Sequence, residues 1–177
     1  MTYRAQNLSS NGAEPVITTD RLRLTVPQDA DVDAVFEIHS DLRTSRHRPD
    51  LVMRSRAQAV ALIEGWQADW TADGIGYFVV STLAGDRIGF AGARRSVEKD
   101  EAVLNLYYRF APRAQGHGYA AEATRAVLAW AEGVSAKRPI VAVIDPSNAA
   151  SVRLALTLGM HRDPAGGTPG VEDLYRF

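Results

Sequence analysis

Asn105-Leu106-Tyr107-Tyr108-Arg109-Phe110-Ala111-Pro112 runs directly into Arg113-Ala114-Gln115-Gly116-His117-Gly118-Tyr119-Ala120, and this junction decides the fold. Ala102 to Phe110 predicts a strand, stopped by Ala111-Pro112. Tyr119 to Glu132 predicts a helix. Ala120, Ala123, Val127, Trp130 and Val134 share one side of it, and Glu122, Arg125 and Glu132 share the other. Between strand and helix lie Gly116 and Gly118, which have no Cβ, so the backbone can bend and come close to a ligand. The first amides of a helix have no internal partners and sit at the positive end of its dipole. Glycines at a helix start therefore suit phosphate groups, and Arg113 adds a cation beside them. No Gly-Lys-Ser/Thr follows, so this is not a Walker loop, and the third glycine of a dinucleotide fingerprint is missing. A plain strand-to-helix turn also uses glycine, so the loop alone leaves both readings open.

Working outward, the N-terminal side supplies one strand, two helices and two more strands. Met1 to Glu14 has no periodicity and contains the turn pair Asn11-Gly12, which predicts a flexible lead-in over residues 1–14, with the domain filling 15–177. Val16 to Val26 predicts a strand, because Leu22, Leu24 and Val26 alternate with Arg21, Arg23 and Thr25. Asp29 is a candidate N-cap for a helix with the stripe Val32, Val35, Phe36 and His39. Ser55 and Gln58 form a capping box for a second helix, whose face is Ala59, Leu62, Ile63, Trp66 and Trp70. Ile75 to Ser81 and Arg87 to Arg94 predict a hairpin about Gly85-Asp86.

On the C-terminal side, Ile140 to Ile144 is apolar throughout and fits a buried strand. Pro146 suits the first turn of the next helix, which carries Val152, Leu154, Ala155 and Leu158 and ends at Gly159. Pro164 to Gly170 predicts a turn, and Leu174 to Phe177 a last edge strand. The order β-α-α-β-β-β-α-β-α-β describes one mixed α/β domain.

The 177 residues suffice for one domain, and 46% hydrophobic with 23% charged residues is an ordinary globular balance. A net charge of -1 provides no field for nucleic acid. Absence of cysteine excludes disulfides and zinc-thiolate sites, and no metal is expected. No apolar run nears the ~20 residues that cross a bilayer, so a cytoplasmic protein without membrane contact is expected.

With its companions, the junction resembles the GNAT N-acetyltransferase family, whose hallmark loop is Arg/Gln-x-x-Gly-x-Gly/Ala. Arg113, Gly116 and Gly118 match it, and the order of elements matches as well. The chain looks most like the branch that acetylates ribosomal-protein N-termini. That likeness rests on Thr19-Asp20-Arg21-Leu22-Arg23-Leu24, Arg87-Ile88-Gly89-Phe90-Ala91-Gly92, and Asn148-Ala149-Ala150-Ser151 followed by Leu158-Gly159-Met160. The likeness covers about Ile17 to Met160. It implies a mostly antiparallel central sheet whose central strands splay, flanked by helices. It also implies acetyl-CoA as cosubstrate and an amine as acceptor, either a protein N-terminus or a small molecule. A homodimer is left open.

The resemblance also assigns roles. Tyr108, Arg109 and Phe110 would offer a backbone edge to the pantetheine arm. Arg113, Ala114, Gln115, Gly116, His117, Gly118, Tyr119 and Ala120 would hold the pyrophosphate. Asn148 and Ser151 would bond the pantetheine near the thioester, although Asn148 is equally placed to cap a helix. An N–H near Phe110 would stabilise the oxyanion. Many members carry a Glu base where this chain has Asn105 and a Tyr acid where it has Ala155. Asn105 cannot take a proton, so a water-relayed base with Ser151 assisting thiolate departure is the expected mechanism. His117, Glu101, His39 and His47 are the other base candidates. Arg43, Arg46, His47 and Arg48 form either a basic lip over the acceptor pocket or a solvated loop. Phe36, Trp66 and Trp70 line a pocket or fill the core. The departures at Asn105 and Ala155 keep a second reading open, an acyl-CoA-binding module without catalysis. A third reading is a purely structural domain.

Overall fold

Apolar alternation and turn-forming residues divide the described residues into nine strands and four α-helices. The computed structural model describes residues 4–6, 16–134 and 138–177. The strands are β1 (Arg4–Gln6), β2 (Val16–Thr18), β3 (Leu22–Thr25), β4 (Tyr77–Thr82), β5 (Arg87–Glu98), β6 (Glu101–Phe110), β7 (Ile140–Ile144), β8 (His161–Thr168) and β9 (Glu172–Arg176). The helices are α1 (Val32–Ser40), α2 (Arg56–Asp73), α3 (Tyr119–Val134) and α4 (Ala149–Thr157). One sheet holds every strand in the order β1-β2-β3-β4-β5-β6-β7-β9-β8. Each neighbouring pair is antiparallel except β6 with β7.

The sheet separates two bodies of core. On one face, Val32, Val35 and Ile38 of α1 and Ala59, Ile63 and Trp66 of α2 pack on Tyr77, Val79 and Phe90. On the other, Ala123, Val127 and Trp130 of α3 and Ala155 and Leu158 of the α4 region pack on Phe78, Leu104, Leu106 and Phe110. Helix α2 starts at the expected capping box: Ser55 N–H donates to Gln58 Oε1 (3.0 Å) and Gln58 N–H to Ser55 Oγ (3.4 Å). Helix α4 ends in a Schellman motif. Met160 N–H donates to Ala155 O (3.0 Å) and Gly159 N–H to Leu156 O (3.1 Å), with Gly159 at φ 87°.

Several sequence expectations are corrected. The strand expected over Val16 to Val26 is a hairpin, β2 against β3, with Thr19 N–H donating to Leu22 O (2.9 Å). Asp29 opens a 3₁₀ turn rather than capping α1; the α1 N-cap is Asp31, whose buried carboxylate pairs with Arg87. Leu174 lies in β9, between β7 and β8, so the last strand is interior and β8 is the edge. Pro164 to Thr168, expected as a turn, belongs to β8 and passes β9 over an irregularity between Asp163 and Thr168. The glycines explain that course: a Cβ on Gly166 would sit 2.5 Å from Leu174 Cβ, and Gly167 is at φ 74°. Pro146 precedes α4 in a turn, outside its first helical residue. Within the expected lead-in, Arg4–Gln6 pairs with Val16–Thr18, and the rest of residues 1–14 lies outside the described residues.

Candidate functional site

The site forms where β6 loses its parallel neighbour. Ala111 N–H donates to Ile88 O (2.9 Å). In an antiparallel ladder alternate residues exchange both bonds, so this contact sets the phase. Arg109, Tyr107 and Asn105 bond β5, opposite Phe90, Gly92 and Arg94. Leu104, Leu106, Tyr108 and Phe110 point their N–H and C=O groups the other way. Leu104 N–H reaches Pro139 O (2.9 Å), and pairing with β7 covers only Leu104 and Asn105. The Asn105–Val141 pairing uses the Leu106 N–H, and beyond it the strands part, so the main chain of Tyr108 and Phe110 lines the opening. Gln115 Nε2 donates to Phe110 O (3.3 Å), which leaves the Phe110 N–H and both backbone groups of Tyr108 facing the gap.

Below this opening lies the glycine loop. Gly116 and Gly118 take φ of 79° and 77°, a region closed to most side chains, and α3 starts at Tyr119. Glu122 in the first turn of α3 ties the loop to the β2–β3 hairpin. It accepts from Thr19 Oγ1 (2.5 Å), Arg21 N–H (3.0 Å) and Arg21 Nε (2.7 Å). Arg21 also donates to His117 O (2.9 Å), and its guanidinium lies 4.7 Å from the Tyr119 ring centroid. The His117 and Tyr119 rings stack at 5.6 Å. Burial works against the Glu122 carboxylate, but the Thr19 and Arg21 bonds outweigh it and its pKa falls.

The two sides of the opening differ in chemistry, because side chains alternate along β6. Leu106, Tyr108 and Phe110 face α3 and α4. The Tyr108 hydroxyl is buried with no close hydrogen bond, and the Ser151 side chain stands beside it. Burial raises the pKa of that hydroxyl, with Ser151 acting in the opposite sense. Ser151 N–H donates to Asn148 Oδ1 (3.2 Å), so the helix-capping role of Asn148 is realised in the structure.

Asn105, Tyr107 and Arg109 face the α1 and α2 side. Asn105 Oδ1 is buried and has no hydrogen-bond partner. His39 Nδ1–H donates to Val35 O (2.9 Å), and its Nε2 accepts from the Tyr107 hydroxyl (3.0 Å). The His39 ring packs against Trp66 and Phe90. Burial, and then the Arg109 charge, push its pKa down to about 4, so it is neutral and a weak base. His47 Nδ1–H donates to Ser147 Oγ (3.0 Å), joining the loop after α1 to the turn before α4.

Several expected site residues sit elsewhere. The Arg113 guanidinium pairs with Glu37 at the surface and donates to Arg87 O (2.8 Å). Arg109 does not contribute to the backbone edge, since its N–H and C=O belong to the β5 ladder. Its side chain instead donates to Ser45 Oγ (2.8 Å) on the α1 side. Arg43 pairs with Asp41 and Arg48 with Asp50, so the basic loop neutralises most of its own charge. Glu101 pairs with Arg176, far from the opening along β6. Trp66 and Trp70 are core. Sequence reasoning missed the Tyr108 hydroxyl and the Tyr107–His39 pair. The alternation of Asn105, Tyr107 and Arg109 with Leu106, Tyr108 and Phe110 was the signal that could have sorted them by face.

Among the described residues, no helix is long and apolar enough to cross a membrane and no group of His, Asp and Glu could hold a metal. Residues 21–161 match the acetyltransferase (GNAT) domain family. An uncharacterised N-acetyltransferase of Bacillus subtilis, YoaA, is 27% identical over 91% of this chain and 95% of its own. The crystal structure of an acetyltransferase from Agrobacterium tumefaciens superposes with a TM-score of 0.79 at 24% identity, covering 93% of this chain and 95% of that one. RimL, a ribosomal alpha-N-protein acetyltransferase in complex with coenzyme A, superposes at 0.73 with 14% identity, covering 92% and 97%.

Proposed function

Given that this chain belongs to the acetyltransferase (GNAT) domain family, we propose that it moves the acetyl group of acetyl-CoA to a primary amine within a ternary complex. The observation that carries the proposal is the parting of β6 from β7 directly above two positive-φ glycines at the start of α3. Backbone groups of Tyr108 and Phe110 suit the amide-bearing pantetheine arm. The amides from Gly116 to Ala120 suit the pyrophosphate.

The acceptor enters from the α1 and α2 side. Its N–H donates to the buried Oδ1 of Asn105, which otherwise has no partner. That bond aims the nitrogen lone pair at the thioester carbon without removing a proton. The C–N bond forms, and the carbonyl oxygen gains charge beside the Phe110 N–H. The amine proton leaves through water, because neither Asn105 nor His39, with its pKa held near 4, takes it at neutral pH. The C–S bond breaks, and the thiolate accepts a hydrogen bond from Ser151, backed by the Tyr108 hydroxyl beside it. The thiolate takes its proton from solvent or from that pair. The products are the N-acetyl amine and coenzyme A.

A peptide N-terminus or a small amine is the acceptor. The structural likeness to RimL supports the peptide. The binding-module reading draws on Asn105 and Ala155, where the resembling enzymes carry Glu and Tyr. Thiol release over a panel of peptides and small amines, beside calorimetric titration with acetyl-CoA, separates the two. Binding with no turnover on any amine would favour the module. Ser151→Ala is expected to lower turnover about 10- to 100-fold; unchanged turnover would remove Ser151 from the mechanism.

A further inference from the structure

Among the described residues, the half-buried Arg109 on the acceptor side of the opening lacks a counterion. Arg109 is half-buried, and its guanidinium donates to Ser45 Oγ (2.8 Å) and stands beside the Tyr107 hydroxyl. A guanidinium has five donors, so these two hydroxyls leave most of them unused. The carboxylates of the segments around it are already held: Glu37 by Arg113, Asp41 by Arg43, and Asp50 by Arg48. The Asp145 carboxylate accepts from Ser147 N–H (2.8 Å) and Ser147 Oγ (2.7 Å). Among the described residues, no acidic side chain bridges Arg109. Partial burial of a charge without a counterion is costly unless a ligand supplies one.

The phosphates of the cosubstrate are poorly placed to do so. Arg109 points to the α1 and α2 face, with Asn105 and Tyr107, whereas the glycine loop opens at the N-terminus of α3 on the other face. Arg109 is two positions from Tyr107 and four from Asn105 on the same side of β6. At about 3.4 Å per residue, its Cα lies roughly 14 Å from that of Asn105, a span within reach of a long side chain and an acceptor one or two residues in length.

We propose that the acceptor is an anionic amine, a peptide N-terminus or amino acid whose carboxylate lies within two residues of the reacting nitrogen, and that Arg109 binds that carboxylate. Ser45 and Tyr107 hold the guanidinium in position, and the planar fork accepts both carboxylate oxygens. The inference rests on the transferase reading for the identity of the pocket, and it is tested by binding as well as by turnover.

The probes are Asp-Ala-Ala amide and Ser-Asp-Ala amide, each beside its Asn counterpart. Protein saturated with coenzyme A is titrated with each, and thiol release is followed with acetyl-CoA. At least one Asp peptide should bind and react roughly 10- to 100-fold better than its Asn counterpart. Arg109→Met should bring the ratio close to one, and Arg109→Lys should recover part of it. Coenzyme A affinity of Arg109→Met shows that the variant folds and that the effect is on the acceptor side. Equal affinity for acid and amide in the unaltered protein overturns the inference, as does a preference that survives Arg109→Met. Selective binding without turnover keeps the anion site and sinks the transferase reading. Turnover without selectivity does the reverse.

Discussion

His39 makes the stability of this protein depend on pH above the range where carboxylates titrate. It is 6% exposed, and burial followed by the Arg109 charge lowers its pKa from 6.5 to about 4. The unfolded chain therefore takes up the proton before the folded chain does. Stability is complete above pH 6.5 and is lost as pH falls toward 4. The interval corresponds to about 3 kcal/mol in full, and to about 2 kcal/mol between pH 7 and pH 5. The carboxylates held low by their partners, such as Asp145 and Glu122, begin to lose their contribution only as pH falls through their ordinary values of 3.8 and 4.5, below the interval from pH 7 to pH 5. Urea unfolding at pH 7 and pH 5 measures the difference directly. His39→Gln removes the titration while keeping a polar group beside Val35 O and the Tyr107 hydroxyl. The substitution is expected to destabilise the protein at pH 7 and to remove most of the difference between the two pH values. If the variant loses as much stability between pH 7 and pH 5 as the unaltered chain, His39 is not the group responsible, and the argument from its burial fails.

Other outcomes follow from the same geometry. Gly118→Ala forces a side chain into φ 77° at a place with steric room, since the nearest atom to a Cβ is Arg21 Nη2 at 3.6 Å. Its cost is backbone strain of about 1 kcal/mol, and titration calorimetry should show acetyl-CoA binding at least several-fold weaker. Gly166→Ala drives a methyl into Leu174 and should cost about 1–3 kcal/mol in chemical denaturation, with acetyl-CoA affinity unchanged because β8 is remote from the opening.

Much of the architecture was legible because local signals agreed with one another. The Ser55 and Gln58 box, the Gly85 turn and the strand-loop-helix junction at Phe110 to Tyr119 each require only a few neighbouring residues. The errors fall where a distant residue decides. Thr19 and Arg21 break the opening strand into a hairpin held by Glu122, about a hundred residues later in sequence. Arg113 reads as a lone cation beside the loop, and α1 brings Glu37 to it. Pro164 to Gly167 carries turn residues yet lies in a strand, because Leu174 of β9 leaves room there only for glycine. At the site, residue types announced the cosubstrate side, but which face each β6 side chain takes depends on ladder phase. That phase places Tyr108 with Ser151 and turns Arg109 toward α1 and Ser45.

The parting of β6 from β7 also has a dynamic signature. An amide in the middle of a nine-stranded sheet ordinarily exchanges its hydrogen with solvent only when a large part of the fold opens. Here the amides of Tyr108 and Phe110 lie in the sheet interior by strand order but face no neighbouring strand. They should take up deuterium at rates typical of a rim, while Arg109 and Tyr107, alternating with them on the same strand, stay protected. A one-residue alternation of fast and slow exchange within a single central strand would thus mark the open seam, and any molecule that fills it would erase the alternation.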